Sequence, residues 1–176
     1  PADAARLARA LEPFDLLWIE DPIAPENLEG YRRIREATQV PLAAGENHYT
    51  RFEFHRVIED GSIGILQPDL SKTGGITEGL RIAAMGSAYK LPVCPHSAMS
   101  GINMAATIHF LAAIDNAGYF EADVAKVNLL RDELVSTPYR IGEDGCVLPL
   151  DEPGIGVAVD EDFFDAYPAI EGPAYV

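Results

Sequence analysis

The sequence predicts an α/β fold built around a parallel sheet. Short apolar runs alternate with longer segments of helical periodicity, and the alternation recurs at intervals of roughly 20 to 30 residues, the size of a β/α unit. Five strand candidates are found in this way, and helical segments separate them. Strands joined by helical crossovers run parallel, so the fold class is α/β.

The first two units share one design, in which a buried strand ends in polar residues and an amphipathic helix follows. Gly61 ends the second helix, as glycine commonly does because it adopts the left-handed conformation without strain. The strands are predicted at 14–22 and 40–47, and the helices at 27–38 and 51–61.

The next three units continue this plan, with a strongly apolar fourth helix, and the last of them is a strand alone. Gly74 and Gly75 make the turn that precedes the third helix. The strands are predicted at 63–69, 91–96 and 117–124, and the helices at 76–90 and 103–114.

Beyond residue 130 the β/α alternation stops. The pairs Asp144-Gly145 and Pro153-Gly154 are turn signals between short β-prone runs, which predicts a hairpin-like extension. We therefore divide the chain into a β/α part, residues 1–130, and a C-terminal extension, residues 131–176.

Charge and hydropathy exclude several classes of partner. Lysine and arginine total 13 against 28 aspartates and glutamates, a net charge of −15 that repels a phosphate backbone, so we expect no nucleic acid. No apolar run approaches the roughly 20 residues of a membrane span. Residues 1–10 predict an amphipathic helix rather than a signal peptide. Cys94 and Cys146 lack metal-ligand spacing and suit a reducing compartment, so we expect a soluble, cytoplasmic protein.

One polar residue ends each of the five predicted strands, at intervals of 23 to 27 residues: Glu20, Glu46, Asp69, His96 and Glu121. In a closed parallel barrel, that rim is where active sites are built. Acids after strands also serve as helix caps or solvated loop residues. Because the five fall at the same point of five units, a shared site is favoured.

The residue types at this rim predict a metal site and a proton-transfer pair. Glu20 and Glu46 bring the hard oxygen ligands that suit Mg²⁺, an ion that needs only a few protein carboxylates. Asp69 and His96 suit a base oriented by a carboxylate. Lys72 either contacts substrate or pairs with Asp69. The residues beside the rim that are candidates for substrate contact are Asn47, His48, Lys72 and Ser97.

Five segments, in this order, resemble the C-terminal half of the enolase superfamily: "WIEDP", "AAGEN", "QPDLSKTGGITEGLRIAAMG", "CPHSAMSG" and "YFEADV". The likeness is closest to the mandelate racemase subgroup and covers nearly the whole chain. It implies that residues 1–130 supply strands four to eight, about five β/α units, of a TIM-type (β/α)8 barrel. The closing "PLDEPGIGVAVDED" resembles the segment that returns to a capping domain.

The resemblance implies a role for each rim residue. Glu20 and Glu46 would be the second and third of three Mg²⁺ ligands. Asp69 and His96 would form the dyad in which His96 moves the proton, and Glu121 would hydrogen-bond the substrate carboxylate or enolate. Aspartate and histidine at the dyad positions, rather than a lysine on the sixth strand, favour the mandelate racemase type over muconate cycloisomerases.

The implied reaction is Mg²⁺-dependent abstraction of the proton α to the carboxylate of a small molecule, through a stabilised enediolate. Its expected form is dehydration of an acid sugar to a 2-keto-3-deoxy acid, and the alternative is a racemase or epimerase of 2-hydroxy acids. Two other hypotheses stay open: a Mg²⁺-dependent carbon-carbon lyase acting on keto acids, and a truncated, non-catalytic remnant.

Several parts of the family pattern have no match in this sequence. They are the N-terminal capping domain, the first three strands, the second-strand lysine motif and the third-strand aspartate ligand. Five strands of a barrel leave edges unpaired, so we expect a longer polypeptide or a partner to supply the missing N-terminal half. We expect the complete protein to be a homo-oligomer.

Overall fold

A parallel sheet organises the residues that the computed structural model describes, 1–168 and Gly172. Its three strands lie side by side in chain order: β1 (Ile19–Glu20), β2 (Leu42–Ala44) and β3 (Ile65–Leu66). Parallel bridges from Leu66 to Val93 and from Val93 to Ala117 extend this order to five positions. The predicted α/β class with five parallel units is confirmed, although the paired segments are shorter than predicted.

The fourth strand segment is short because proline interrupts its hydrogen bonding. Pro92 and Pro95 have no N–H to donate to a neighbouring strand. Between them, the N–H groups of Val93 and Cys94 each donate at 2.9 Å, one to the fifth segment and one to β3. Two residues therefore join this segment to both neighbours, and the sheet order is kept.

Eight α-helices occur among the described residues, and five of them confirm predicted helical segments, with ends that differ by no more than three residues. None of the described helices is long and apolar enough to cross a membrane. The helices are α1 (Ala2–Leu11), α2 (Leu28–Arg35), α3 (Thr50–Asp60), α4 (Leu70–Thr73), α5 (Ile76–Ala88), α6 (Gly101–Ala113), α7 (Leu129–Asp132) and α8 (Asp162–Ala166).

Local capping explains where several helices begin and end. Asn27 accepts a hydrogen bond from the N–H of Gly30 at 2.9 Å before α2, and Ser100 accepts one from the N–H of Asn103 at 3.3 Å before α6. Both bonds satisfy N–H groups that a helix start leaves unpaired. At the end of α3, Gly61 has a φ of +73°, so the predicted glycine stop is confirmed.

The main hydrophobic core lies between the sheet and the helices. Burial stabilises each large apolar side chain by about 1.5–3 kcal/mol. Tyr31 also donates its hydroxyl to Asp21 Oδ1 at 2.8 Å, which ties α2 to the segment just after β1. The largest fully buried members are Tyr31, Ile34, Phe54, Ile82 and Phe110 from the helices, Leu42 and Leu66 from the sheet, and Ile63 just before β3.

A second, smaller core holds the C-terminal extension. An antiparallel bridge joins Val135, near the start of the extension, to Val159. The predicted boundary at residue 130 falls within α7, so the division of the chain there stays a prediction. Residues 169–171 and 173–176 of the predicted extension lie outside the described residues. The buried members of this core are Leu134, Val135 and Phe163.

The prediction of a hairpin in this extension was wrong, although the predicted turn is present. The N–H of Gly142 donates to the carbonyl of Cys146 at 2.7 Å and closes a turn at the predicted Asp144-Gly145 pair. No paired strand follows in residues 138–158, all of which the structure describes. The two prolines of "LPLDEP" lack the N–H groups that a continuous ladder needs.

Replacing Gly45 with alanine is expected to destabilise the fold more than the same change at Gly61. Gly45 has a φ of +152°, and a Cβ there would lie 2.6 to 2.8 Å from the backbone of Gln67, whereas Gly61 faces open space. We expect Gly45→Ala to lower the free energy of unfolding by about 3 kcal/mol and Gly61→Ala by about 1 kcal/mol. Urea denaturation measures both, and equal losses would contradict the close approach of β2 and β3.

Candidate active site

Two glutamates lie at the carboxyl end of the sheet. Glu20 is the last residue of β1, and Glu46 follows β2 after the bend at Gly45. Glu20 Oε2 accepts hydrogen bonds from Gln67 Nε2 at 2.7 Å and from Trp18 Nε1 at 3.3 Å. Because Gln67 directly follows β3, its amide and the Glu20 carboxylate bridge the intervening strand β2.

His96 and Asp69 form a hydrogen-bonded pair beside Glu46. His96 Nδ1 lies 2.7 Å from Asp69 Oδ2, and His96 Nε2 lies 3.2 Å from Glu46 Oε2. The second oxygen of Asp69, Oδ1, accepts hydrogen bonds from the N–H and the hydroxyl of Ser71 at 2.7 and 2.6 Å. Asp69 is fully buried. The structure thus brings together three of the five predicted rim residues in direct contact.

The environment of the pair favours a charged carboxylate and a basic imidazole. Burial alone would raise the pKa of Asp69, but the hydrogen bonds from His96 and Ser71 hold that pKa below its ordinary value. The hydrogen bond to Asp69 raises the pKa of His96, burial opposes this, and the charges of Glu46 and Glu121 add to it. Each partner therefore stabilises the charged form of the other.

Glu121 is held at the rim by Ser97. The N–H of Ser97 donates to Glu121 Oε2 at 2.8 Å, and the Ser97 hydroxyl donates to the Glu121 carbonyl at 2.7 Å. Ser97 is fully buried. Its hydroxyl is thus engaged by the fifth strand segment, and its predicted contact with substrate stays a prediction.

Lys72 and Asn47 both lie at Glu46. Lys72 Nζ is 3.8 Å from Glu46 Oε1, and Asn47 Nδ2 donates to the same oxygen at 3.0 Å. The alternative pairing of Lys72 with Asp69 was wrong, because Asp69 is enclosed by Ser71 and by the imidazole. Both side chains are near enough to the rim to meet a molecule bound there.

His48 faces a different space from the rim carboxylates. Its ring is buried and packs edge-on against Phe54, with ring centroids 5.9 Å apart. It lines a cavity of about 230 Å³ together with Glu26 and Glu53. Burial lowers the pKa of His48, and the charge of Glu53 opposes that change. A substrate contact by His48 stays a prediction.

Two residues that sequence reasoning missed complete the site. Gln67 lines a cavity of about 130 Å³ with Glu20 and Glu121. Its position two residues before Asp69, on the same face of the strand predicted at 63–69, was a usable signal. Asn103 of α6 donates from Nδ2 to Asp69 Oδ1 at 3.2 Å. No local pattern singles out this asparagine within an apolar helix.

The negative charge at the strand ends suits a cation, although the described side chains supply only part of a ligand set. Burial raises the pKa of Asp21, the Tyr31 hydrogen bond opposes this, and the charges of Glu46 and Glu20 add to it. Glu20 and Glu46 are therefore part of a concentration of negative charge, and their oxygens are hard ligands. Within the part of the chain that is described, no three His, Cys, Asp or Glu side chains are grouped to hold a metal ion. Two carboxylates suit Mg²⁺, which takes few protein ligands.

A parallel β/α segment with acids and a histidine at its carboxyl rim has the architecture of part of a (β/α)8 barrel. The chain belongs to the enolase C-terminal domain-like family, whose model matches residues 1–163. The resemblance to the enolase superfamily is thereby confirmed. Solved structures described as mandelate racemase/muconate lactonizing enzyme-like, such as one from Roseovarius sp. TM1035 at 36% identity and a TM-score of 0.86, agree with it; the chain covers 41% of that one.

Other relatives match this chain along most of its length. The D-galactonate dehydratase of Variovorax paradoxus (strain S110) is 42% identical over 164 residues, which cover 90% of this chain and 43% of that protein. A solved enolase superfamily member from Polaromonas sp. JS666 is 54% identical with a TM-score of 0.94, and the match covers 99% of this chain and 46% of that one. This chain thus spans less than half the length of these relatives.

Asp69→Asn is expected to lower the pKa of His96, because the hydrogen bond to the Asp69 carboxylate is the main cause of its raised value. The change keeps the size of the side chain and removes its charge. A histidine NMR titration measures the shift. Glu78→Gln is the control, since Glu78 pairs with Arg51 and Arg81. An unchanged His96 pKa in Asp69→Asn would contradict the pairing.

Proposed function

We propose that this chain carries the proton-transfer residues of a Mg²⁺-dependent lyase, which removes the proton α to a carboxylate and dehydrates an acid sugar. The observation that carries the proposal is the placement of His96 between Asp69 and Glu46, at 2.7 and 3.2 Å. Relatives named D-galactonate dehydratase support dehydration over racemisation. The enzyme completed by the missing barrel units is called the assembled enzyme below.

His96 takes the substrate proton on Nε2. Asp69 accepts the hydrogen bond from Nδ1, which places the imidazole proton on that nitrogen and leaves Nε2 as the basic atom. Asp69 is itself oriented by Ser71, so the ring has one orientation. A positioned base of this kind contributes about 10²- to 10⁴-fold to the rate.

Glu20 and Glu46 would hold Mg²⁺ from two neighbouring strands. When bound, the ion would stabilise the negative charge that develops on the substrate. Gln67 and Trp18 orient Glu20 through its Oε2 atom, and Asn47 orients Glu46. The third ligand that the family pattern implies would come from the missing barrel units.

Loss of water follows when the proton goes to the β-hydroxyl. His96 removes the proton from C2, the hydroxyl on C3 leaves with that proton as water, and a double bond forms between C2 and C3. The resulting enol tautomerises to the 2-keto-3-deoxy acid. Racemisation would instead need a second base on the opposite face of the substrate, which would come from the missing barrel units.

Other rim residues are assigned to substrate binding in this proposal. Glu121, held by the Ser97 N–H, hydrogen-bonds the substrate carboxylate or enolate. Lys72, whose side chain is 25% exposed, provides a cation for the substrate carboxylate. Asn47 hydrogen-bonds Glu46 and therefore also lies beside the proposed substrate site. His48 and Ser97 are secondary candidates because His48 packs against Phe54 and Ser97 is bound to Glu121.

The assembled enzyme needs parts that this chain does not contain. We propose that a longer polypeptide supplies the capping domain and the remaining strands, and that the complete protein forms a homo-oligomer. Its substrate would be a small carboxylate, and neither nucleic acid nor a membrane is a proposed partner. The free cysteines Cys94 and Cys146 support a cytoplasmic location, where thiols stay reduced.

His96→Asn is expected to abolish exchange of the substrate α-proton and to leave Mg²⁺ binding intact. Asparagine has no basic nitrogen, and both glutamates are untouched. Proton NMR in deuterated water follows the exchange, with the assembled enzyme, Mg²⁺ and a set of acid sugars that begins with D-galactonate. We expect a loss of at least about 100-fold. His55→Asn is the matched control, because His55 lies exposed on α3 and pairs with Glu59.

Each result of this experiment separates the hypotheses. Undiminished exchange in His96→Asn would remove His96 as the base. Exchange without loss of water would identify a racemase or epimerase. Turnover without exchange that depends on His96 would indicate a carbon-carbon lyase.

Glu46→Gln is expected to weaken Mg²⁺ binding at least about tenfold, because an amide oxygen replaces a charged ligand. Calorimetric titration of the assembled enzyme with Mg²⁺ measures the affinity. Glu59→Gln is the matched control on the exposed face of α3 and leaves the affinity unchanged. Equal affinities in both variants would place the ion elsewhere, and no Mg²⁺ binding by the unmodified protein would favour the non-catalytic remnant.

A further inference from the structure

A buried asparagine outside the predicted rim contacts the proton-transfer pair. Asn103 lies in the first turn of α6, where the Ser100 cap accepts a hydrogen bond from its N–H. The side chain is buried, and Nδ2 donates to Asp69 Oδ1 at 3.2 Å across 34 residues of sequence. Helix α6, which follows His96 in the chain, thus contacts the Asp69 carboxylate that follows β3.

The Asn103 amide is oriented with its N–H donor toward the charged carboxylate of Asp69. Its Oδ1 atom is buried with no hydrogen-bond partner among the described residues, while Nδ2 donates to Asp69. Leaving a buried carbonyl unpaired is unfavourable, so the orientation is stable only where the contact made by Nδ2 is strong. Hydrogen bonds to ionised groups are roughly twice as strong as those between neutral groups. The reverse orientation would place two oxygens together.

With Asn103 in place, the two oxygens of Asp69 have separate functions. Oδ1 accepts three hydrogen bonds, two from Ser71 and one from Asn103, and Oδ2 accepts the bond from His96. Ser71 is local, two residues from Asp69, and cannot by itself fix the carboxylate relative to α6. Asn103 adds a restraint from a distant element.

We propose that Asn103 is a positioning residue, which holds the Asp69 carboxylate so that only Oδ2 faces His96. The inference rests on the proposed function, since Asn103 acts through the dyad and not on substrate. Its amide fixes the direction of the bond that Asp69 accepts from His96 Nδ1. Loss of the amide lowers the rate constant of turnover and leaves the affinity for substrate unchanged.

Two variants of Asn103 separate positioning from packing. Asn103→Leu removes the donor at similar volume, and we expect kcat to fall about tenfold with KM unchanged. Asn103→Asp keeps the shape and places a second carboxyl group against Asp69. Above the pKa of that carboxyl pair, both groups are charged and repel each other. Below it, the introduced carboxyl donates a hydrogen bond to Asp69 and restores the native contact.

The pH dependence of Asn103→Asp is the decisive measurement. We expect the ratio of its kcat to that of the unmodified assembled enzyme to rise as the pH falls. Asn103→Leu should show a constant ratio. Other titratable groups lie near this pair of carboxyl groups. His96 hydrogen-bonds Asp69, and the charges of Glu46 and Glu121 act on His96. Lys72 on α4 pairs with Glu46. Because each ratio compares two kcat values at the same pH, the titration of these groups affects both values and cancels.

Asn116→Asp is the matched control. Asn116 is partly buried, and its Oδ1 likewise has no hydrogen-bond partner within the described part of the chain. Its Nδ2 donates to the carbonyls of Ala83 and Leu91, away from the dyad. Its variant is expected to change stability and to show a constant activity ratio. A constant ratio for Asn103→Asp, or an unchanged kcat in Asn103→Leu, would overturn the inference.

An NMR measurement distinguishes failure of this inference from failure of the proposed function. The Nδ1 proton of His96, observed in assembled enzyme labelled with ¹⁵N-histidine, reports the bond to Asp69 without any substrate. We expect its signal to shift or disappear in Asn103→Leu and to persist in Asn116→Asp. If the unmodified enzyme exchanges no α-proton but this pattern is seen, the proposed function fails alone. If the signal is identical in all variants, Asn103 does not position Asp69.

Discussion

Parallel pairing of the strand segments is the constraint on which the site depends. It places the carboxyl ends of β1, β2 and β3 on one edge, so residues 23 to 27 positions apart in sequence meet in space. Neighbouring strands lie about 4.8 Å apart, so two side chains can bridge an intervening strand. Gln67 reaches Glu20 in this way, and Gly45 lets β2 pass beside the Gln67 backbone.

Neutral donors hold most of the rim carboxylates. A hydrogen bond to a carboxylate favours its charged form without cancelling the charge, so negative potential remains at the strand ends. Lys72, 3.8 Å from Glu46, is a cation within this group. Such an arrangement suits a bound divalent ion better than a set of ion pairs would. The donor and acceptor pairs are Gln67 with Glu20, Ser71 and Asn103 with Asp69, and Ser97 with Glu121.

Local patterns were sufficient for the order of the elements. The helical periodicity and Gly61 placed α3 within one residue of its observed ends, and Glu20 was correctly assigned to the end of β1. The same patterns failed in residues 138–158, where a turn forms without a hairpin. Strand pairing needs a second segment with free N–H groups, and the prolines of that region remove some of them.

The sequence by itself determined the α/β class, the succession of units and the candidate carboxylates and histidine, because each depends on periodicity or on a residue type at a strand end. Only the tertiary structure decided which side chains touch. Lys72 pairs with Glu46 rather than Asp69, Ser97 binds Glu121, and Asn103 reaches Asp69 from α6. These contacts join residues 24 to 34 positions apart, and they follow from how helices pack on the sheet, which no local pattern records.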